Sequence, residues 1–125
     1  MNAPICVIED NIPIRKLFTT LLKKAEYEVV DFGNSTDSLA WLKGNNASAI
    51  IMDILLPDLN GTELIKIIRE MPLHNKVPII AATGFASTQD QDKLIELGFD
   101  YYICKPINTT TFTQEIKSVI EKFKS

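Results

Sequence analysis

The chain has 125 residues, 46% hydrophobic and 23% charged, with 5 Gly and 6 Pro; this excludes a disordered, collagen-like or low-complexity polypeptide and suits one domain burying roughly two thirds of its unfolded surface. Thirteen Lys and Arg against sixteen Asp and Glu leave a net charge of -3, with no cationic surplus to neutralise nucleic-acid phosphates. The longest apolar stretches are about five residues, far short of the ~20 of a membrane-spanning helix, and the Met-Asn-Ala-Pro start lacks the segments of a signal peptide, so a cytoplasmic location with no membrane contact is expected.

Pro4 to Ile8 is the first of five apolar runs of strand length and is followed by Glu9-Asp10. Ile14, Leu17, Phe18, Leu21, Leu22 and Ala25 then follow i, i+3, i+4, i+7 spacing. That pattern predicts an amphipathic helix starting near residue 12, capped by Asn11 and tolerating Pro13 in its first turn. The second run, Tyr27 to Asp31, precedes a weaker helical pattern over 36–43, and the third, Ser48 to Asp53, precedes one over 61–71. The fourth, Val77 to Ala82, leads to a helix over 88–97, opened by Ser87 or Thr88 and closed by Gly98. After the fifth run, Asp100 to Cys104, a stripe of Phe112, Ile116, Val119, Ile120 and Phe123 predicts a last helix capped by Asn108 or one of Thr109 to Thr111.

Strict alternation of strand and helix, with strand runs apolar enough for burial on both faces, predicts an α/β fold: a doubly wound, five-stranded parallel sheet over residues 1–125. Right-handed crossovers favour the flavodoxin-like (βα)5 order 2-1-3-4-5. The first and fifth strands then lie three spacings apart, about 14 Å, too far for Cys6 and Cys104 to form a disulfide. Both thiols read as free, buried small hydrophobes, and His74, in the loop before the fourth strand, as a solvated residue.

Ligands of open α/β sheets bind at the carboxyl ends of the strands. There the sequence places Glu9-Asp10, Asp53, Thr83-Gly84 and Lys105-Pro106. Taken alone, Glu9-Asp10 reads equally as first-turn charge for a helix, and Lys105 as a solvated strand-end lysine. Asp53 differs, because it follows Ala-Ile-Ile-Met on a strand expected to be central, where a carboxylate needs a cation or a chemical task. Three carboxylates on one edge repel one another, and a divalent cation with a preference for hard oxygen, Mg2+, relieves them. A carboxylate beside Mg2+ and a lysine is suited to accept a phosphoryl group, with Thr83 donating to a phosphoryl oxygen once it is present.

Glu9-Asp10-Asn11, the stretch from Met52 to Gly61, Thr83-Gly84 and Lys105-Pro106, with Asp53 lying 30 residues before Thr83 and 52 before Lys105, resemble the receiver domain of two-component response regulators, the CheY-like family, along essentially the whole chain. The resemblance implies Asp53 as phospho-acceptor, Glu9, Asp10, Asp53 and the Leu55 backbone carbonyl as Mg2+ ligands, Thr83 as switch hydroxyl and Lys105 as the partner of the acceptor. It further implies Tyr102 as switch aromatic, the alternative being a half-buried strand tyrosine, and a cis peptide at Lys105-Pro106. The implied donor is a histidine kinase or histidine phosphotransfer protein. The implied output is an effector protein bound on the face of the fourth helix, fifth strand and fifth helix, which includes Phe85, Tyr101 or Tyr102, and Phe112. The protein is then a signalling module rather than an enzyme, without direct nucleic-acid contact, and a monomer or a phosphorylation-dependent dimer.

Leu55 and Phe85, each two residues beyond a site residue, are apolar and cannot orient a water, so slow loss of the phosphoryl group is expected, over about tens of minutes or more. Replacing them with Asn and Glu should hasten it. A haloacid-dehalogenase-like phosphatase would need an acid at the position of Leu55, and a flavodoxin would need a Ser/Thr/Gly-rich loop where Glu9-Asp10 stands. A phosphorylation-independent interaction module of the same fold is the further alternative. Only 19 residues follow Pro106, room for one helix and no effector domain, which leaves open both a stand-alone regulator and a receiver excised from a hybrid kinase or larger regulator.

Overall fold

The computed structural model describes residues 3–84 and 88–124. In chain order its elements are β1 (Ile5–Ile8), α1 (Ile12–Lys24), β2 (Val29–Phe32), α2 (Ser35–Leu42), β3 (Ala49–Asp53), α3 (Gly61–Glu70), β4 (Ile79–Thr83), α4 (Thr88–Leu97), β5 (Tyr101–Cys104) and α5 (Phe112–Lys124). The strands pair in parallel in the order β2-β1-β3-β4-β5, the doubly wound arrangement that the alternation predicts.

Local chemistry explains where the elements stop. Asn11 accepts the Ile14 N–H at 3.0 Å and so caps α1. Tyr27 does not open β2, because its N–H is spent closing α1 on the Leu22 carbonyl at 3.1 Å. Pro78 has no N–H for the ladder, so β4 begins one residue later, although the Pro78 carbonyl still accepts the Ile50 N–H at 2.9 Å. The buried stripe of α1 is narrower than its periodicity suggests: Phe18 and Leu22 are fully buried, whereas Leu17 and Ala25 are exposed. Ser87, a possible cap of α4, and the side chain of Phe123 lie outside the described residues.

Residues alternate across the sheet into two apolar layers. Cys6, Ile8, Ile50, Met52, Ile79 and Ala81 face Leu42, Leu64, Ile65, Ile68, Leu94 and Phe99 of the α2, α3 and α4 side. Ile5, Val7, Ile51, Ile80, Ala82 and Ile103 face Phe18 and Leu22 of α1 and Phe112, Ile116 and Ile120 of α5. The Phe18 and Phe112 rings stack at 5.1 Å between centroids and join α1 to α5.

Both cysteines are free, with β3 and β4 between their strands. Cys6 is fully buried, and burial, aided by Asp31, pushes its thiol up to about 12. Cys104 is only half-buried, a correction to the expectation of two interior thiols, because it closes the edge strand β5.

A second correction concerns His74, which is 0% exposed. Its Nε2 lies 2.8 Å from the Leu42 carbonyl oxygen at the end of α2. A carbonyl only accepts, so Nε2 carries the proton in this contact. Nearby, the Arg69 guanidinium of α3 donates to the carbonyls of Val77 at 2.6 Å and Gly98 at 2.7 Å, and to Asp100 Oδ2 at 2.7 Å. Asp100 Oδ2 also accepts the Ile79 N–H at 2.9 Å. Gly98, at φ 114°, turns the chain out of α4 in a left-handed conformation that suits glycine. This pole, opposite the carboxyl ends of the strands, is thus tied by one arginine.

Candidate functional site

Parallel pairing brings the residues that end or follow β1, β3, β4 and β5 to one edge. Glu9 and Asp53 are 1% and 8% exposed, and Asp10 is exposed. These three carboxylates place one oxygen each within 4.8 Å of one another. Lys105 Nζ stands 2.6 Å from Glu9 Oε1 and 3.3 Å from Asp53 Oδ1, an ion pair with each. Thr83, 1% exposed, ends the adjacent β4, and its carbonyl accepts the Lys105 N–H at 2.8 Å. The Lys105–Pro106 peptide is cis.

Electrostatics follow from that burial. Desolvation, reinforced by Asp53, raises the Glu9 carboxyl to about 7 despite the opposing pull of Lys105. For Lys105, burial works against the ammonium, but the Glu9 and Asp53 carboxylates outweigh it and raise its pKa above the ordinary value. Glu9 Oε1 is engaged by the Lys105 ammonium at 2.6 Å, and as a carboxylate oxygen it keeps a second lone pair beyond that contact. A buried, hard oxygen with an unused lone pair beside two further carboxylates fits a small divalent cation.

The loop between β3 and α3 frames the other side. Leu55 is 61% exposed, and its N–H reaches Asp53 Oδ1 at 3.3 Å. The foot of the loop is closed by the Gly61 N–H on the Ile54 carbonyl at 2.7 Å. A Cβ at Gly61 would stand 2.7 Å from the Asp53 carbonyl oxygen, so glycine is required where α3 starts against the end of β3.

Tyr102 is half-buried, and its hydroxyl donates to Gln91 Oε1 of α4 at 2.8 Å. The neighbouring Tyr101 hydroxyl donates to Glu115 Oε1 of α5 at 2.9 Å. Phe112 is buried in the core and therefore cannot serve as a contact residue on the outer face, while Phe85 lies outside the described residues.

Two residues to which the sequence reading assigns no role shape the site. Arg15 of α1 donates to the Glu9 carbonyl at 3.1 Å and pairs with Asp31 at 3.2 Å. Its guanidinium occupies the space that a Cβ at Gly33 would need. Asp58, in the β3–α3 loop, accepts from the backbone N–H groups of Ser35 and Thr36, both at 2.8 Å, and from the Thr36 hydroxyl at 2.6 Å. The Thr36 hydroxyl, followed by those backbone donors, holds the Asp58 carboxyl below its ordinary value. Local periodicity carries no trace of either contact; the glycine at 33 and the Asn-Ser-Thr start of α2 were the available hints.

Compared with known protein families, the chain matches the response regulator receiver domain over residues 5–117. It belongs to that family. The receiver is 32% identical over 120 residues to the polar-differentiation response regulator DivK of Brucella anthropi, covering 96% of this chain and 98% of the relative. Among solved structures, the chemotaxis response regulator CheY4 of Vibrio cholerae superposes with a TM-score of 0.90 at 25% identity, covering 95% of this receiver and 99% of that chain. The receiver domain of a sensor histidine kinase from Pseudomonas aeruginosa superposes with a TM-score of 0.86 at 25% identity, covering 97% and 99%, and carries a magnesium ion coordinated in its active site cleft. As a member of the receiver family it is a two-component signalling protein, and among its described residues no helix is long and apolar enough to cross a membrane.

Proposed function

We propose that residues 1–125 form the phosphoacceptor module of a two-component or phosphorelay system, acting in the cytoplasm, with Asp53 taking a phosphoryl group from a phosphohistidine on a histidine kinase or histidine phosphotransfer protein. The observation that carries the reading is Lys105 Nζ set between Glu9 and Asp53, at 2.6 and 3.3 Å, beside a third carboxylate. Glu9, Asp10, Asp53 and the Leu55 carbonyl would hold Mg2+, which would supply Lewis-acid neutralisation of the phosphoryl oxygens. An Asp53 carboxylate oxygen attacks phosphorus, the P–N bond to the donor breaks as the O–P bond forms, and the leaving imidazole nitrogen retains the electron pair and takes a proton from solvent. Lys105 follows the charge from carboxylate to phosphoryl oxygen, and the Thr83 hydroxyl donates to an oxygen that exists only after transfer. That new bond draws on β4, and Tyr102, bonded to α4 through Gln91, carries the change outward.

The effector-binding surface is the α4-β5-α5 face, where a groove of about 1000 Å³ lined by Ile95, Phe99, Tyr101 and Val119 lies between α4 and α5. Leu55, 61% exposed at the second position after Asp53, offers no hydrogen bond to an attacking water. It also argues against a haloacid-dehalogenase-like phosphatase, which needs an acid there. Leu55→Asn is expected to shorten the lifetime of the phosphorylated form by about tenfold, read as loss of label over time; an unchanged decay would remove Leu55 from the account. The reading as a whole is tested with acetyl phosphate and Mg2+, which should add about 80 Da to wild type and nothing to Asp53→Asn. A wild type that gains no mass with strong donors, while still binding partners, would favour the phosphorylation-independent interaction module.

A further inference from the structure

The β3–α3 loop is held at two points of different kind. Its foot is backbone on backbone, the Gly61 N–H on the Ile54 carbonyl. Its tip is hung on another element 23 residues away in sequence, the amino end of α2. A helix start leaves its first N–H groups without partners inside the helix. Here Asn34 supplies one acceptor, taking the Asp37 N–H at 2.8 Å. Asp58 supplies the rest of the set for the first turn, the Ser35 N–H on Oδ1 and the Thr36 N–H on Oδ2. The Ser35 hydroxyl returns a bond to the Leu59 carbonyl at 2.6 Å, and the Leu59 N–H closes on Asp58 Oδ1 at 3.0 Å. The carboxylate therefore faces helix-start donors, whose partial positive charge favours its ionised form and strengthens each bond. Asp58 is itself solvent-exposed and outside the acidic cluster, so its bonds serve the loop rather than the cation directly.

Leu55 lies between the two holding points, one residue from the foot and three from the tip. Resting on the receiver reading above, we propose that Asp58 is a positioning residue for the site: by hanging the β3–α3 loop on α2 it keeps the backbone at Leu55 set against the carboxylate cluster for the cation. Without the Asp58 carboxylate, the loop keeps its foot and, near the tip, the one bond from the Ser35 hydroxyl to the Leu59 carbonyl, and the Leu55 carbonyl samples orientations that do not serve a ligand. Groups that orient a metal ligand without touching the metal typically change affinity by about 10–100-fold when removed.

The test is Mg2+ affinity, measured by calorimetry or through the fluorescence of the single Trp41 of α2, together with amide exchange of Leu55, Leu56, Asp58 and Leu59 in metal-free protein. Asp58→Ala should weaken Mg2+ by about tenfold and speed exchange across the loop. Thr36→Val keeps every charge and removes one donor to Asp58, so it should weaken Mg2+ by about threefold and separates positioning from loss of negative charge. Ile120→Val, in the apolar layer on the other side of the sheet from the loop, lowers stability without touching the tip and should leave affinity within about twofold. Should Asp58→Ala fail to fold, Asp58→Asn and Thr36→Val carry the comparison. Faster loop exchange in these variants with Mg2+ affinity still within about twofold of wild type overturns the proposal alone. A wild type that takes up no Mg2+ overturns the receiver reading and this proposal with it.

Discussion

Asp58 shows how much one side chain decides in a loop. Its carboxyl is held below its ordinary pKa by the Thr36 hydroxyl first and by the Ser35 and Thr36 N–H groups after it. A carboxyl depressed in the folded state contributes stability above its unfolded value of 3.8, and the contribution is lost as pH falls through the lower folded value. Wild type should therefore exceed Asp58→Asn in urea midpoint at neutral pH, with the gap closing below about pH 4. A gap that stays constant down to strong acid would mean that the bonds to α2 do not depend on charge. The same residue marks a limit of sequence reading. Glu9, Asp10, Asp53, Thr83 and Lys105 were legible because each follows an apolar run whose end the topology brings to one edge. Asp58 and Arg15 act through partners that nothing local announces, and His74 looked like a loop histidine until α2 closed over it.

Among the elements, strand positions were read to within two residues, since a parallel strand buried on both faces is an apolar run with little else in it. Helix burial was read less well: Leu17 keeps perfect helical spacing yet remains exposed, because the stripe that meets the sheet is only as wide as its neighbours allow. The Arg69 tie illustrates element-scale energetics. It joins α3 to the carbonyls before β4 and after α4 and to Asp100, which in turn holds the first N–H of β4. Arg69→Ala strands several of these acceptors and should cost about 2–4 kcal/mol in urea unfolding. Arg69→Lys should recover little of it, because an ammonium cannot reproduce the planar fork. Mg2+ affinity should be unchanged in both, given that the tie sits at the pole away from the acidic cluster. Full recovery by lysine would reduce the arginine to a point charge.

At the scale of the whole molecule, the strand order separates the two thiols and also makes them unequal. Cys6 sits on an inner strand, fully buried, with its thiol raised to about 12. Cys104 is on an edge strand and half-buried. A thiol reagent should titrate one cysteine in the native protein and two in denaturant, and Cys104→Ser should abolish the native reaction. Two reactive thiols in the native state would contradict the burial of β1.

The Arg69 tie and the acidic edge occupy opposite ends of the same strands, and this gives the molecule the mechanics of a bound book. The spine is stitched by a guanidinium of α3 to two further chain segments, whereas at the fore-edge like charges are restrained, among the described residues, by one ammonium. A change of charge at Asp53 therefore acts at the more lightly tied end of the sheet, and the end fastened by directed bonds to carbonyls is the one expected to keep its place.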